Sequence, residues 1–316
     1  MTALDFQTSN ETQWSELEQA VNCKEKTLDP ERFLFLYRAA CEHLALAEAR
    51  GFPAPLVSRL AAVTARAHQI VYRQTDLGLG RIAHTLMHTF PAMVRAHRWY
   101  VLVAALLVIA PAIALGYAVA HRPDLILSLV DSTTVETFGH MYDPSNREIG
   151  RLRDAGTDWM MFGFYIANNI GIAFQCYVSG VLFGLGSLYY LVFNGALGGA
   201  LAGYVTSIGF AGTFFPFIAT HSAFELTAVV LSGAAGLRLG RSVLLPGRLP
   251  RLASLQLAAR ETSVIVFGSA VMLVIAAAVE AFWSSAAWVS PIAKFSGAAG
   301  CWILVAIFFL RRPRAD

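Results

Sequence analysis

The sequence predicts an all-α, polytopic membrane protein of about six transmembrane helices, with an N-terminal cytoplasmic helical domain. Three observations carry that expectation. The 316 residues are 56% hydrophobic and only 14% charged, with mean hydropathy +0.54, whereas soluble domains carry about 25% charged residues. From Trp159 to Leu237 the chain runs 79 residues with Glu225 as its one formally charged side chain. A charge at a bilayer centre costs about 2.5–3.5 kcal/mol, and one crossing needs roughly 20 residues, so this run reads as several embedded segments. Polarity is also uneven: residues 1–98 hold 11 Lys/Arg and 10 Asp/Glu, the balance of a soluble domain.

Residues 1–98 read as a bundle of about four helices. The clearest begins at Asp29-Pro30-Glu31, an N-cap, an N1 proline and an acidic first turn, and stops at Gly51 before Pro53. Phe33, Leu34, Tyr37, Cys41, Leu44 and Ala45 would form its apolar stripe. A second helix spans about Ala54 to Tyr72, with Leu56, Leu60, Val63, Ala67, Ile70 and Val71 inward, and shorter segments lie around Thr12–Val21 and Leu79–His97. Residues 1–30 are polar, with no apolar stretch after a basic start, so no signal peptide is expected and this domain is placed in the cytoplasm.

Six spans follow, at about 99–119, 160–182, 186–208, 214–237, 263–283 and 293–311. With the N-terminus inside, the loop 238–261 (Arg238, Arg241, Arg248, Arg251, Arg260) and the tail (Arg311, Arg312, Arg314) are cytoplasmic. The outer loop 121–158 has four arginines against seven acidic residues. That asymmetry obeys the positive-inside rule and places an inner-membrane protein with both termini in the cytoplasm. The uncharged turn within 160–208 leaves a re-entrant pair open. The arginines of 238–261 alternate with leucines and read as a segment lying on anionic lipid. In the outer loop a short helical subdomain is expected, with His140 and Asp143 as surface residues.

Gly180 and Gly184 are four apart, as are Gly195, Gly199 and Gly203, and Gly236 and Gly240. Small residues at that spacing let helix backbones approach closely. They serve packing within one chain or a homodimer, which is an expected partner alongside the lipid bilayer.

His221-Ser-Ala-Phe-Glu225 sets two ionisable groups one turn apart on one helix face. Counted from Phe214 at 1.5 Å per residue, Glu225 would lie about 17 Å deep, near the midplane, and Asn168 and Asn169 about 13 Å deep. A polar cluster of His221, Glu225, Asn168, Asn169 and Asn194 is therefore expected. Three readings compete for it: a hydrogen-bonded clamp, a proton- or ion-coupled path, and an intramembrane metal-dependent hydrolase, which would need a third ligand. HExxH, GxSxG and a glycine-lysine phosphate loop are all absent from the sequence. Glu280 and Lys294 flank an uncharged outer turn and are expected to form a topology-fixing ion pair. Cys23, Cys41, Cys176 and Cys301 lie far apart and suggest neither zinc nor disulfides. No cofactor, metal or nucleic-acid partner is expected.

Tyr165-Ile-Ala-Asn-Asn169, Ile172-Ala-Phe174, Gly180-x3-Gly184-x-Gly186, Asn194-Gly195-x2-Gly198 and His221-Ser-Ala-Phe-Glu225, with Gly233-Ala-Ala-Gly236 behind it, together resemble the core of the stage II sporulation protein M family. Leu36-Tyr37-Arg38 and Arg66-Ala-His68…Tyr72 are similar to the family's cytoplasmic helical region. The family usually has proline and glycine around the histidine, where this chain has Thr220 and Ser222, so the local helix geometry stays open. The resemblance implies a scaffold or assembly factor for cell-envelope partners, some of them peptidoglycan-associated, and does not imply sporulation. A transporter or channel using the His/Glu pair is the alternative.

Overall fold

The computed structural model describes residues 2–22, 29–71, 78–145, 158–286 and 288–311. Cys23, Arg312, Arg314 and the second part of the expected outer loop lie outside the described residues. Every regular element among the described residues is helical, and the chain divides into two units, Met1–Gly80 and Arg81–Asp316.

The first unit packs α1 (Ala3–Asn22), α2 (Pro30–Ala49) and α3 (Ala54–Val71). Helix α1 starts nine residues before the expected Thr12. Thr2 and Asp5 cap each other there: Asp5 N donates to Thr2 Oγ1 and Thr2 N donates to Asp5 Oδ2. Proline opens α2 as expected, and Gly51, at φ 63°, follows its end. The buried stripe of α2 is rotated from the expected one: Leu36, Ala40 and Ala47 are interior, while Leu34 is exposed. On α3, Leu56, Leu60, Val63 and Ala67 face inward, whereas Ile70 is exposed. Phe6 and Trp14 close the core with Ala47, Leu56 and Leu60. Arg59 bridges Glu11 and Glu18 at 2.7 and 2.8 Å.

The second unit takes in the segment expected to belong with the first. Helices α4 (Leu79–His84) and α5 (Phe90–Ala96), joined through a π turn, bury Phe90 and Val94 against Ile265, Leu273 and Val305. Then come α6 (Arg98–His121), α7 (Ser132–Met141), α8 (Asp158–Val178), α9 (Leu185–Ser207), α10 (Ala211–Ala219), α11 (Ser222–Leu244), α12 (Arg251–Val279) and α13 (Pro291–Leu310). Among the described residues, five stretches are long and apolar enough to cross a membrane: Arg98–His121, Leu185–Ser207, Ser222–Leu244, Arg251–Ser284 and Pro291–Leu310. The expected span 160–182 corresponds to α8, which is long enough but carries Asn168, Asn169 and Gln175.

The expected span 214–237 is two helices. The chain turns at Thr220 and His221, so α10 ends at Ala219 and α11 begins at Ser222. Side-chain hydroxyls stabilise that break: Thr220 Oγ1 donates to the Lys294 carbonyl and Ser222 Oγ to the Ala219 carbonyl. Residues 238–244 continue α11, and α12 starts at Arg251, so the expected loop 238–261 contracts to 245–250. Leucines between the arginines keep the helical apolar pattern running through them.

Helix α11 is the centre of this unit, 61% buried over its apolar window, while α6 is 11% buried. Its glycines carry the packing. A Cβ on Gly236 would strike the Cys176 carbonyl, and one on Gly180 would strike Gly236. Gly184, at φ 83°, starts α9 and lies against Gly240. Gly195, Gly199 and Gly203 of α9 rest on the α6 backbone at Val108, Ala112 and Gly116. The glycine ladders are thus occupied within one chain.

Candidate functional site

Three side chains meet where α11 begins. His221 occupies the turn before that helix, Glu225 lies in its first turn, and Glu280 opens the π turn Glu280–Ser284 that ends α12. Each offers a ligand atom, and these atoms all lie within 4.8 Å of one another. The i, i+4 spacing brings His221 Nε2 to 3.8 Å from Glu225 Oε2, beyond hydrogen-bond distance. His221 Nδ1 is instead hydrogen-bonded to Ser284 Oγ at 3.0 Å. The Phe217 ring packs against the imidazole in a T-shaped arrangement, centroids 5.5 Å apart.

Because the helix breaks at Thr220–His221, counting residues from Phe214 no longer measures the depth of Glu225. It is the fourth residue of α11, about 4.5 Å along that helix from its first residue.

The expected Glu280–Lys294 pair is replaced by two separate arrangements. Lys294 is buried and its Nζ donates to the Ser284 carbonyl at 2.7 Å, while Glu280 turns toward His221 and Glu225. The carbonyl gives the ammonium a partner one turn along the same π segment. A chain of contacts results: Thr220 to Lys294, Lys294 to Ser284, and Ser284 to His221.

The asparagines divide. Asn168 and Asn169 line a cavity of about 180 Å³ together with Glu225, Glu280 and Tyr165, and with Phe138, Met141 and Tyr142 at the end of α7. Asn168 Nδ2 donates to Asn169 Oδ1 at 2.9 Å, and Asn169 Nδ2, buried, has no hydrogen-bond partner among the described residues. Asn194 is elsewhere. Its Nδ2 donates to the Tyr190 carbonyl within α9, and it lines a second, larger groove of about 700 Å³ between α6, α9, α10 and α11. His221 and Glu225 line that groove too, so Glu225 borders both cavities.

Glu280 and Ser284 were missed by sequence reasoning as members of this centre. The available signal was that Glu280 is the one charged side chain between Glu261 and Lys294. Of the arginines expected at a lipid interface, Arg238 pairs with Glu261 across α11 and α12 at 2.8 Å. Arg241, Arg248 and Arg251 are exposed beside exposed Leu244, Leu245, Leu249 and Leu252. Asp143, just after α7, accepts from Ser145 N and Oγ, which holds its carboxyl below the usual range.

The family model for stage II sporulation protein M matches residues 104–285, which contain α8 through α11 and all three clustered ionisable groups. The chain belongs to the stage II sporulation protein M family. A separate model, a domain of unknown function, matches residues 5–73 and thereby the three-helix unit. Neither a curated protein nor a solved structure matches the chain.

Proposed function

We propose that this member of the stage II sporulation protein M family handles a cation or proton through its membrane-embedded unit, with Glu225 as the group that receives and releases it. The observation that carries the reading is the position of Glu225 between two cavities, its side chain 27% exposed. A purely structural clamp calls for a dry centre of saturated hydrogen bonds. Here the His221–Glu225 separation is 3.8 Å and a buried amide donor lacks a partner beside an open volume. Ionisable groups placed in membrane-embedded helices mark ion and proton paths.

The test is flux in sealed proteoliposomes holding a pH-sensitive dye. Under an imposed potential, wild-type protein acidifies the lumen faster than empty vesicles, and Glu225→Gln returns the rate to background. Equal rates for the two proteins would overturn the reading.

A second reading, an assembly factor for envelope partners that works as a homodimer, is favoured by α6. Only 11% of the residues in that helix's apolar window are buried within its own chain, which leaves an apolar side for another helix. Native mass spectrometry should then show a dimer that dissociates on Leu106→Asn; a monomer throughout removes it. The arginine asymmetry supports an inner-membrane setting with both termini inside, which requires α8 to cross as a sixth span.

A further inference from the structure

Resting on the cation-handling reading above, we propose that His221, Glu225 and Glu280 bind one divalent first-row transition-metal ion. The three come from different places in the chain, and their ligand atoms lie within 4.8 Å of one another. An ion held about 2.0–2.2 Å from each would draw those atoms to roughly 3.3–4.4 Å apart, a contraction that side-chain rotation supplies.

Chemistry selects the class of ion. The donor set is one imidazole and two carboxylates with no thiolate, which suits Zn²⁺ or Mn²⁺ and disfavours Cu⁺. Two carboxylates this close repel one another, and a divalent charge between them removes that repulsion. The buried ammonium of Lys294 is committed to the Ser284 carbonyl.

The surroundings orient the ligands. Ser284 Oγ sits 3.0 Å from His221 Nδ1. With Nδ1–H donating to that oxygen, the Nε2 lone pair faces the carboxylates, as in metal sites where a second partner fixes the tautomer. An independent observation points to a ligand. Asn169, only 4% exposed, lines the cavity that holds both carboxylates, and its Nδ2 has no partner among the described residues. Water occupies about 30 Å³ per molecule, so the cavity of about 180 Å³ has room for metal-bound water that this amide would meet.

The full chain, purified in detergent and stripped with a chelator, is titrated calorimetrically with Zn²⁺ and, separately, Mn²⁺. One ion per chain is expected for wild type with at least one of the two metals. Glu280→Gln, nearly isosteric, should weaken binding by tenfold or more, and Ser284→Ala by about 10–100-fold through loss of imidazole orientation. X-ray absorption of the loaded protein should show one imidazole and no sulfur around the ion. Equal binding by wild type, Glu280→Gln and Ser284→Ala, or sulfur in the shell, would mean adventitious metal elsewhere and overturn the site. If Glu280→Gln elutes aggregated, Ser284→Ala decides. Stoichiometric binding without Glu225-dependent flux would retain the site and remove the transport reading; flux without stoichiometric metal would do the reverse.

Discussion

Gly199 rests on the backbone of Ala112, so closely that a Cβ there would overlap the Ala112 carbonyl. One residue earlier on the same helix, a Cβ on Gly198 would meet nothing within 4 Å. Gly199→Leu should therefore force α6 and α9 apart and destabilise the protein by about 3 kcal/mol or more, with Gly198→Leu close to wild type. Thermal unfolding in detergent, read with the monodisperse fraction on size exclusion, checks the pair. A stable Gly199→Leu protein of altered oligomeric mass would instead assign that glycine to an interface between copies.

Lys294 is the strut between α13 and the π turn carrying Glu280 and Ser284. Lys294→Met keeps the stem and removes the donor, leaving the Ser284 carbonyl unsatisfied at a cost of about 1–3 kcal/mol. Thr220→Ser retains the hydroxyl that reaches the Lys294 carbonyl and should be near neutral. Paired unfolding curves check this, with equal loss in both variants contradicting it.

Residues 1–80 should fold as a fragment, since Phe6, Trp14, Leu56 and Leu60 form a core within them. Trp14, the one tryptophan in that stretch, donates from Nε1 to His43 Nδ1 at 3.1 Å. Burial holds His43 below its ordinary value of 6.5. Below that value the unfolded chain binds the extra proton before the folded one does, so stability is complete above about pH 6.5 and declines as pH falls. Denaturant midpoints followed by Trp14 fluorescence should drop between pH 7 and pH 5. His43→Gln, which keeps an acceptor, should flatten the dependence.

Arg59 holds Glu11 and Glu18 in the same unit. Its hydrogen bond is the main cause that lowers Glu11 below 4.5. The stabilisation is present above that value and lost at lower pH. These groups are partly exposed, so Arg59→Met should cost no more than about 1 kcal/mol and the cost should shrink in high salt. An Arg59→Met penalty insensitive to salt would point to lost packing of the side chain.

Much of this architecture was legible because its signals are local. The i, i+4 spacing of His221 and Glu225, the proline opening α2 and the glycine ladders each act within a few turns of one helix. Membership of the polar centre was less legible. Glu280 lies 55 residues beyond Glu225, and its nearest charged neighbour in sequence after that point, Lys294, offered a simpler partner. The break at Thr220–His221 was hidden for another reason. Apolar residues flank it on both sides, and the Thr220 hydroxyl finds its acceptor on α13, 74 residues away, a contact that no local pattern shows.

The central claim is that Glu225 stands in a reachable polar centre between two cavities rather than in a dry clamp. Its most direct test is Glu225→Cys in a chain whose four native cysteines are replaced, treated in sealed vesicles with a small charged thiol reagent. If Glu225 borders both cavities in the membrane, the thiol is modified within minutes and Zn²⁺ slows the reaction. A thiol that stays unmodified in vesicles yet reacts after denaturation would mean a closed, dry centre and would contradict the claim.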